Sequence, residues 1–434
     1  MEVNLNNYPA RVNFSHNLKR LLDERGNRSG VSLVGRMLLD DQNQWSLYED
    51  GVRLRINLNG SKPNINEGDY VVVRGNYFQE GGPYLVAEKI EPCSRSIVSP
   101  QIHQNPEALG GLELLTDQKK RENILLRSKM MKKIRSFLDD QDFVEVETPH
   151  LRYFPSASSK QMTTKSRING HEYFLRGSPE KHILRLALSL PKFYEIGKCF
   201  RDGECDSTHS PEFTMLEFYS TFKDYNDMMG ITEKLVEQTA LETRGTTKLS
   251  FRGHDIDVKC PWKRVTVREA GIQGYNLDPI EASDSEIKKL LGIKEDIPRD
   301  VLLTRFIEER LERLFIQPTF LTNYPLGVGA PDKTDEFDRK TMERSEGFIA
   351  GGLELVNLGT LNNDPLFLRK HYTEHIERRY GPDKAREFLD EDFLFEVGSG
   401  IPPLACSGIG LDRLAMLLTG ENNINRVICY PFKK

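Results

Sequence analysis

The stretch that most constrains this chain is FRDGECDSTHSPEFTMLEFY, residues 200–219. Residues 192–200 (KFYEIGKCF) and 212–222 (EFTMLEFYSTF) alternate apolar and polar side chains as strands do, and the segment between them is almost wholly polar. The pattern predicts an antiparallel hairpin with a long charged loop. Glu217 and Tyr219 are two residues apart, so both point to one face of the sheet, and Arg201 leaves the end of the facing strand. An arginine fixed there can fork onto a phosphate or a carboxylate. His209 can meet a terminal phosphate from the loop, and Phe213 can stack on a base. A solvated hairpin with no ligand is the plain alternative for this segment taken alone.

The surrounding text gives the hairpin a domain. ENILLRSKMMKKIRSFLDDQ (residues 122–141) predicts a helix with Ile124, Met131, Ile134 and Leu138 near one face. DFVEVETPHL follows as a strand through Val144 and Val146, halted by Pro149. DYNDMMGITEKLVEQTALET reads as an amphipathic helix starting at an Asp or Asn cap. Residues 282–315 form a charged, mostly helical insertion. EGFIAGGLELVNLGTLNND reads as another hairpin, and GIGLDRLAMLLTG as a glycine-rich turn opening a helix. Gly408 and Gly410 there permit close approach of a ligand, and Arg413 at a helix start suits polyphosphate. Antiparallel strands with helices segregated around them make an α+β fold.

Upstream, residues 31–92 carry closely spaced short strands broken by Gly, Asn and Pro, which predicts a small five-stranded barrel of the OB type. Trp45, Tyr48, Arg53 and Arg55 lie on or beside its strands. Aromatic and arginine side chains on a barrel face suit single-stranded bases; core packing for Trp45 and plain solvation for the arginines is the other reading. Residues 93–111 read as a linker. The expected domains are therefore 1–95 (barrel), 96–118 (linker) and 119–434 (large domain), with the helical insertion at about 270–315.

Composition enters as a filter. Over 434 residues, a net charge of −5 gives no global sign of nucleic-acid or membrane binding. The six cysteines are scattered with no CxxC pair, which argues against a zinc cluster or a disulfide scaffold. No run approaches a membrane span, and the first residues show no charged start followed by an apolar run, so neither a membrane partner nor a secretory leader is expected. The cytoplasm is the expected compartment.

Three segments together resemble the three motifs of class II aminoacyl-tRNA synthetases. KIRSFLDDQDFVEVETP is similar to the dimer-interface helix and strand of motif 1, FRDGECDSTHSPEFTMLEFY to motif 2, and GIGLDRLAMLL to motif 3. THSPEFTMLEFY, YFLRGSPEKHILRL, FYEIGKCFR, IQPTFLTNYP and IPPLACSGIGLDRLAMLLTG are similar to the lysyl enzymes (class IIb) and to the lysyl-like ligase that modifies elongation factor P. That ligase generally lacks the barrel, so the barrel favours a tRNA partner. The resemblance implies ATP and Mg2+ as cofactors. It implies Arg201 on the α-phosphate and substrate carboxylate, His209 and Arg413 on the γ-phosphate, and Phe213 on adenine. It also implies Glu354 and Glu346 on magnesium, Glu180 on the α-ammonium, and a homodimer through residues 127–149.

Four departures from the pattern alter this expectation. Lysyl enzymes read N-A-Y-x-E-L-N-D-P after the metal glutamate, and that second glutamate receives the lysine ε-ammonium. Here the text is NLGTLNNDP, with Asn357 kept and Leu361 in the glutamate's place. An ammonium buried against leucine loses several kcal/mol, so a side chain less cationic than free L-lysine is expected. Cys406 replaces a glycine before motif 3. The motif 2 loop has Gly203 at an ATP-contacting glutamate position, Thr208 where arginine is common, and acidic Asp202, Glu204 and Asp206, a poor surface for an acceptor backbone. One extra residue stands before Glu354, which loosens the equivalence of Glu346. A paralogue results: an adenylate-forming ligase acting on tRNA, with a protein or small-molecule acceptor, or a non-catalytic binding homologue, as the alternatives.

Overall fold

The computed structural model describes residues 12–40, 42–60, 63–96, 110–155, 161–166, 169–203 and 205–432. The chain divides into two units, Met1–Glu122 and Asn123–Lys434. The first holds a closed barrel of β1 (Arg28–Leu39), β2 (Trp45–Glu49), β3 (Val52–Asn57), β4 (Tyr70–Phe78) and β5 (Tyr84–Ser94), in the order β1-β2-β3-β5-β4. Leu33, Met37, Leu47, Leu54, Val73 and Leu85 fill its interior. This is the expected OB-type barrel. Most of the expected linker, residues 97–109, lies outside the described residues. Its last part is a helix, Gly110–Thr116, and the unit ends at Glu122 rather than at 118.

The second unit is built on an eight-stranded sheet. Its strands are β6 (Val144–Glu145), β10 (Lys192–Phe200), β11 (Glu212–Thr221), β14 (Lys263–Thr266), β15 (Thr319–Pro325), β16 (Thr341–Ile349), β17 (Leu353–Thr360) and β18 (Leu404–Gly410), ordered β14-β15-β16-β17-β18-β11-β10-β6. A three-stranded sheet of β7 (Leu151–Arg152), β8 (Thr163–Lys165) and β9 (Glu172–Leu175) and a hairpin of β12 (Lys248–Phe251) and β13 (His254–Asp257) complete the strands. The expected hairpin is present with Glu217 opposite Glu195 and Tyr219 opposite Phe193.

Period-two alternation sorts the sheet into two unlike faces. Leu216, Phe218, Val356, Leu358, Ala405 and Ile409 face one way. They pack with Met228, Leu235 and Val236 of the helix Tyr225–Arg244 and with Leu414 and Leu417 of the helix Leu411–Thr419. Each such large side chain contributes about 2 kcal/mol by burial. Glu217, Tyr219, Asn357, Gly359, Cys406 and Gly408 therefore share the other face. The first helix starts at the capping box of Asp224 and Asp227 and stops at left-handed Gly245.

Several local expectations shift. In the helix Gln118–Asp139 the fully buried apolar residues are Met130, Ile134 and Leu138; Met131 packs against the same core only partly buried, and Ile124 is half-buried. Of the strand before Pro149, only Val144–Glu145 pairs, in parallel with β10. GIGLDR holds no separate turn: β18 runs through Gly410, which caps the next helix with φ −72°. The insertion begins at the helix Val267–Tyr275 and packs Ile287, Leu302 and Phe306 against Leu321 and Phe348 of the sheet.

Arg127 of the helix Gln118–Asp139, which runs into the motif 1 segment, ties motifs 2 and 3 together: it pairs with Asp412 and donates to Thr214 Oγ1 (3.0 Å) and to the Val427 carbonyl (3.1 Å). The second Asp412 oxygen accepts the Thr214 amide at 2.8 Å.

Candidate active site

At one end of the polar face, the C-terminal ends of β10 and β18 lie on either side of β11. Arg201 follows β10 and its main-chain amide donates to the Pro211 carbonyl (2.9 Å), so its side chain starts from a fixed point. Its guanidinium lies 5.1 Å from the centroid of the Phe213 ring. Arg413, in the first turn after Gly410, donates to the Glu354 carbonyl (2.7 Å), to Glu354 Oε2 (3.2 Å) and to His209 Nε2 (2.8 Å). A guanidinium only donates, so Nε2 of His209 accepts and Nδ1 carries the hydrogen. That hydrogen faces Asp206, 3.0 Å from Nδ1.

Asp206 organises the loop. Its carboxylate accepts from the amides of Thr208 (2.7 Å) and His209 (2.9 Å). Burial pushes its carboxyl up, but those amides and the His209 ring outweigh that and hold it at about 2. One of the three acidic loop residues is thus engaged inside the loop, and Glu204 lies outside the described residues.

A β-bulge interrupts the pairing of β16 and β17 just after Glu354, where Gly347 faces Val356 and Phe348 faces Glu354. Glu346 and Glu354 stay close enough that the Glu354 charge helps raise the Glu346 carboxyl, after burial as the main cause. Glu346 is itself tied to Arg344 (2.7 Å), Asn357 (3.0 Å) and the Tyr324 hydroxyl (2.9 Å). Glu312 of the insertion, which sequence reasoning missed, is pushed up to about 9 by burial and then by Glu346 and Glu354. Carboxylates that raise one another are a fit for a divalent cation, although no group of three or more His, Cys, Asp or Glu among the described residues closes to metal-binding geometry. A cation arriving with phosphate oxygens and waters needs only one or two of them.

The other end of the same face is closed. Glu195, Glu217, Gly408, Asn357 and Glu346 form one register row, and Phe193, Tyr219, Cys406 and Gly359 form the next. The Tyr219 hydroxyl donates to Glu217 Oε2 at 2.7 Å. Burial, then the charge of Glu180, pushes Glu217 up to about 7. Burial also raises Glu180, and the Cys406 thiol is raised by burial and by Asp332, Glu180 and Glu217 around it. Beside the row, fully buried Arg176 pairs with Glu195 at 2.6 Å, and glycine at 197 leaves its guanidinium room.

Leu361 belongs to an apolar cluster with Phe193, Tyr219, Leu368 and Tyr372. Across a β-bridge from it stands Asp332, 2% exposed, which sequence reasoning also missed. A Cβ at Gly359 would lie 2.5 Å from Asp332 Cγ and 2.7 Å from Oδ2. The lysyl pattern quoted above has an aromatic residue at that position, and its absence here was the available signal.

On the barrel, Arg53 and Arg55 are exposed on β3 with Tyr48 and Ser46 as cross-strand partners. Trp45 does not join them: alternation places it on the Leu47 side, against the barrel core. The aromatic ring beside Arg55 is Tyr84, 5.6 Å from its guanidinium.

The family profile described as tRNA synthetases class II (D, K and N) matches residues 111–434. The chain belongs to that family. It is a class II ligase, similar to the lysine–tRNA ligase of Clostridium acetobutylicum, with 34% identity over 393 residues that cover 85% of this chain and 75% of that protein. The lysine–tRNA ligase of Pelotomaculum thermopropionicum is 31% identical over 467 aligned residues, 98% of this chain and 91% of that protein. Lysine–tRNA ligase 2 of Methanosarcina mazei is 32% identical over 390 residues, covering 85% and 76%. In this class II synthetase Arg413, His209 and Glu354 meet by hydrogen bonds, while Asp332 fills the space beside Gly359. No described helix is long and apolar enough to cross a membrane.

Proposed function

We propose that this synthetase-family ligase uses ATP and Mg2+ to activate the carboxylate of an amino acid other than free L-lysine and transfers the acyl group, most simply to a tRNA 3′ end. The observation that supports this is the convergence of Arg413, His209 and Glu354 within hydrogen-bond reach, beside the strand end that carries Arg201.

Arg201 holds the α-phosphate against the amino-acid carboxylate. Phe213, stacked near it, receives the adenine. Arg413 turns from the Glu354 carbonyl to the γ-phosphate, joined by His209, whose Nδ1 stays fixed by Asp206. Glu354 and Glu346 would hold magnesium, which neutralises triphosphate charge. No protein nucleophile is required: a substrate carboxylate oxygen bonds to the α-phosphorus and pyrophosphate leaves. Positioning and charge stabilisation carry the rate. Glu180 and Glu217 take the α-ammonium over Gly408 and Asn357.

Arg53, Arg55 and Tyr84 give the barrel a surface for single-stranded bases. A homodimer through residues 127–149 accords with the exposed Val144. ATP–pyrophosphate exchange over a panel of amino acids tests the activation step: exchange with at least one acid is expected, and none with any acid overturns it. Nuclease-sensitive label on total tRNA separates tRNA from a protein or small-molecule acceptor.

A further inference from the structure

Resting on the amino-acid activation just proposed, we infer that Asp332 is the specificity-determining carboxylate of the pocket. It receives a second ammonium of the substrate on the sheet face it shares with Glu217, where Leu361 cannot. The substrate class is then a diamino acid whose distal amine ends beside the Asp332 carboxylate, displaced from the place a strand glutamate at 361 would offer.

The placement follows from the sheet. Gly359 and Asn357 are two residues apart on β17, so the direction in which Gly359 lacks a side chain is the face that carries Asn357. The Asp332 carboxylate occupies that direction, and Gly359 is the register partner of Cys406, itself opposite Tyr219. Asp332 therefore stands on the same face as Glu217, one row along. Its Oδ2 accepts from Arg344 Nη1 at 3.2 Å, while the same guanidinium holds Glu346 more closely, at 2.7 Å. No described group donates to Oδ1.

A carboxylate oxygen without a protein donor, on a side chain otherwise only 2% exposed, discriminates between substrates, because one that supplies the donor gains where one lacking it does not. Glu180, Glu217 and Asp332 gather around Cys406, with the Arg344 guanidinium beside them. A bulky residue at 359 would displace Asp332, and a strand glutamate at 361 would make it redundant. Glycine and leucine at these two positions are one coordinated change.

Exchange kinetics with 2,4-diaminobutyrate, ornithine, lysine and 3,6-diaminohexanoate, set against norleucine and glutamine, test this. The expected result is a preferred diamino acid, at least thirtyfold better in kcat/KM than the neutral acids. Asp332→Asn should raise its KM at least thirtyfold with kcat and the ATP KM within a few-fold of the parent. Adding Leu361→Glu to Asp332→Asn should restore ammonium preference and move it toward lysine. A preferred neutral or acidic substrate, or an unchanged KM in Asp332→Asn, overturns the inference. Should no acid support exchange, the activation reading fails by itself. Calorimetry of the same acids with the protein then decides this one: diamino-acid binding lost in Asp332→Asn upholds it, and no binding of any diamino acid overturns it.

Discussion

The two ends of one sheet face differ in solvent access, and with it in how their charges behave. At the end proposed for the phosphates the Glu354 and His209 side chains are 40% and 43% exposed, and Arg413 and His209 rest on protein partners that a ligand can replace. At the amino-acid end Glu217 and Asp332 are 6% and 2% exposed, and burial pushes both carboxyls up to about 7. The open end can grip any nucleotide that brings the right phosphates. The closed end must be matched donor for acceptor, because every group left unpaired there is desolvated. Common chemistry belongs at the first and selection at the second.

The largest expected effect strikes the open end. Arg413→Ala and Arg201→Ala should each lower exchange by about 10³-fold, the order seen when one charge-stabilising group is removed; near-parental rates in either would detach that residue from ATP. Next comes Arg127→Ala, which leaves the Asp412 carboxylate buried without its cation and loosens both ends together. A loss of about 3 kcal/mol in denaturant unfolding is expected, with exchange lowered for every substrate alike. Selective loss for amino acids alone would show that the tie serves only one end.

Gly359→Ala is confined to the closed end. Its Cβ would press on the Asp332 carboxylate, costing about 2 kcal/mol of stability, and should raise the amino-acid KM without changing the ATP KM. A melting temperature equal to the parent would mean that the carboxylate moves aside freely.

The smallest effect is a pH dependence. In the free protein the raised carboxyls hold protons, and a bound ammonium favours their ionised form, so binding releases protons. The amino-acid KM should therefore fall as pH rises toward about 7, by at most about tenfold per unit for each carboxyl, and level off above it. Stability runs the opposite way. Folded carboxyls raised above their unfolded value favour folding most at low pH, and this stabilisation is lost as pH rises through about 7. Bound substrate should cancel that loss. A flat KM between about pH 6 and 8 would show both groups already ionised.

The contrast also explains what could be read from the sequence. The hairpin, the α+β class and the barrel were legible because period-two alternation and punctuation by Gly and Pro report local geometry. Arg201 and Arg413 were legible as residues at a strand end and a helix start, where register fixes position, and His209 only through the resemblance of the loop that carries it. Leu361 and Cys406 were visible as departures. Asp332 was not, because it lies in a loop and reaches the site through a β-bridge and the missing side chain of Gly359, a relation no periodicity encodes. The same limit misplaced Trp45: aromatic content suggested a face, and only the alternation with Leu47 showed which. Arg127 was seen merely as part of a helix, because its partner stands far away in sequence at Asp412.

The most direct test of the central claim is a crystal structure of the chain grown with ATP and Mg2+. The account predicts one bent triphosphate touched by the guanidinium groups of both Arg201 and Arg413, with Arg413 released from the Glu354 carbonyl. A triphosphate held by only one of the two, or bound away from both, would contradict it.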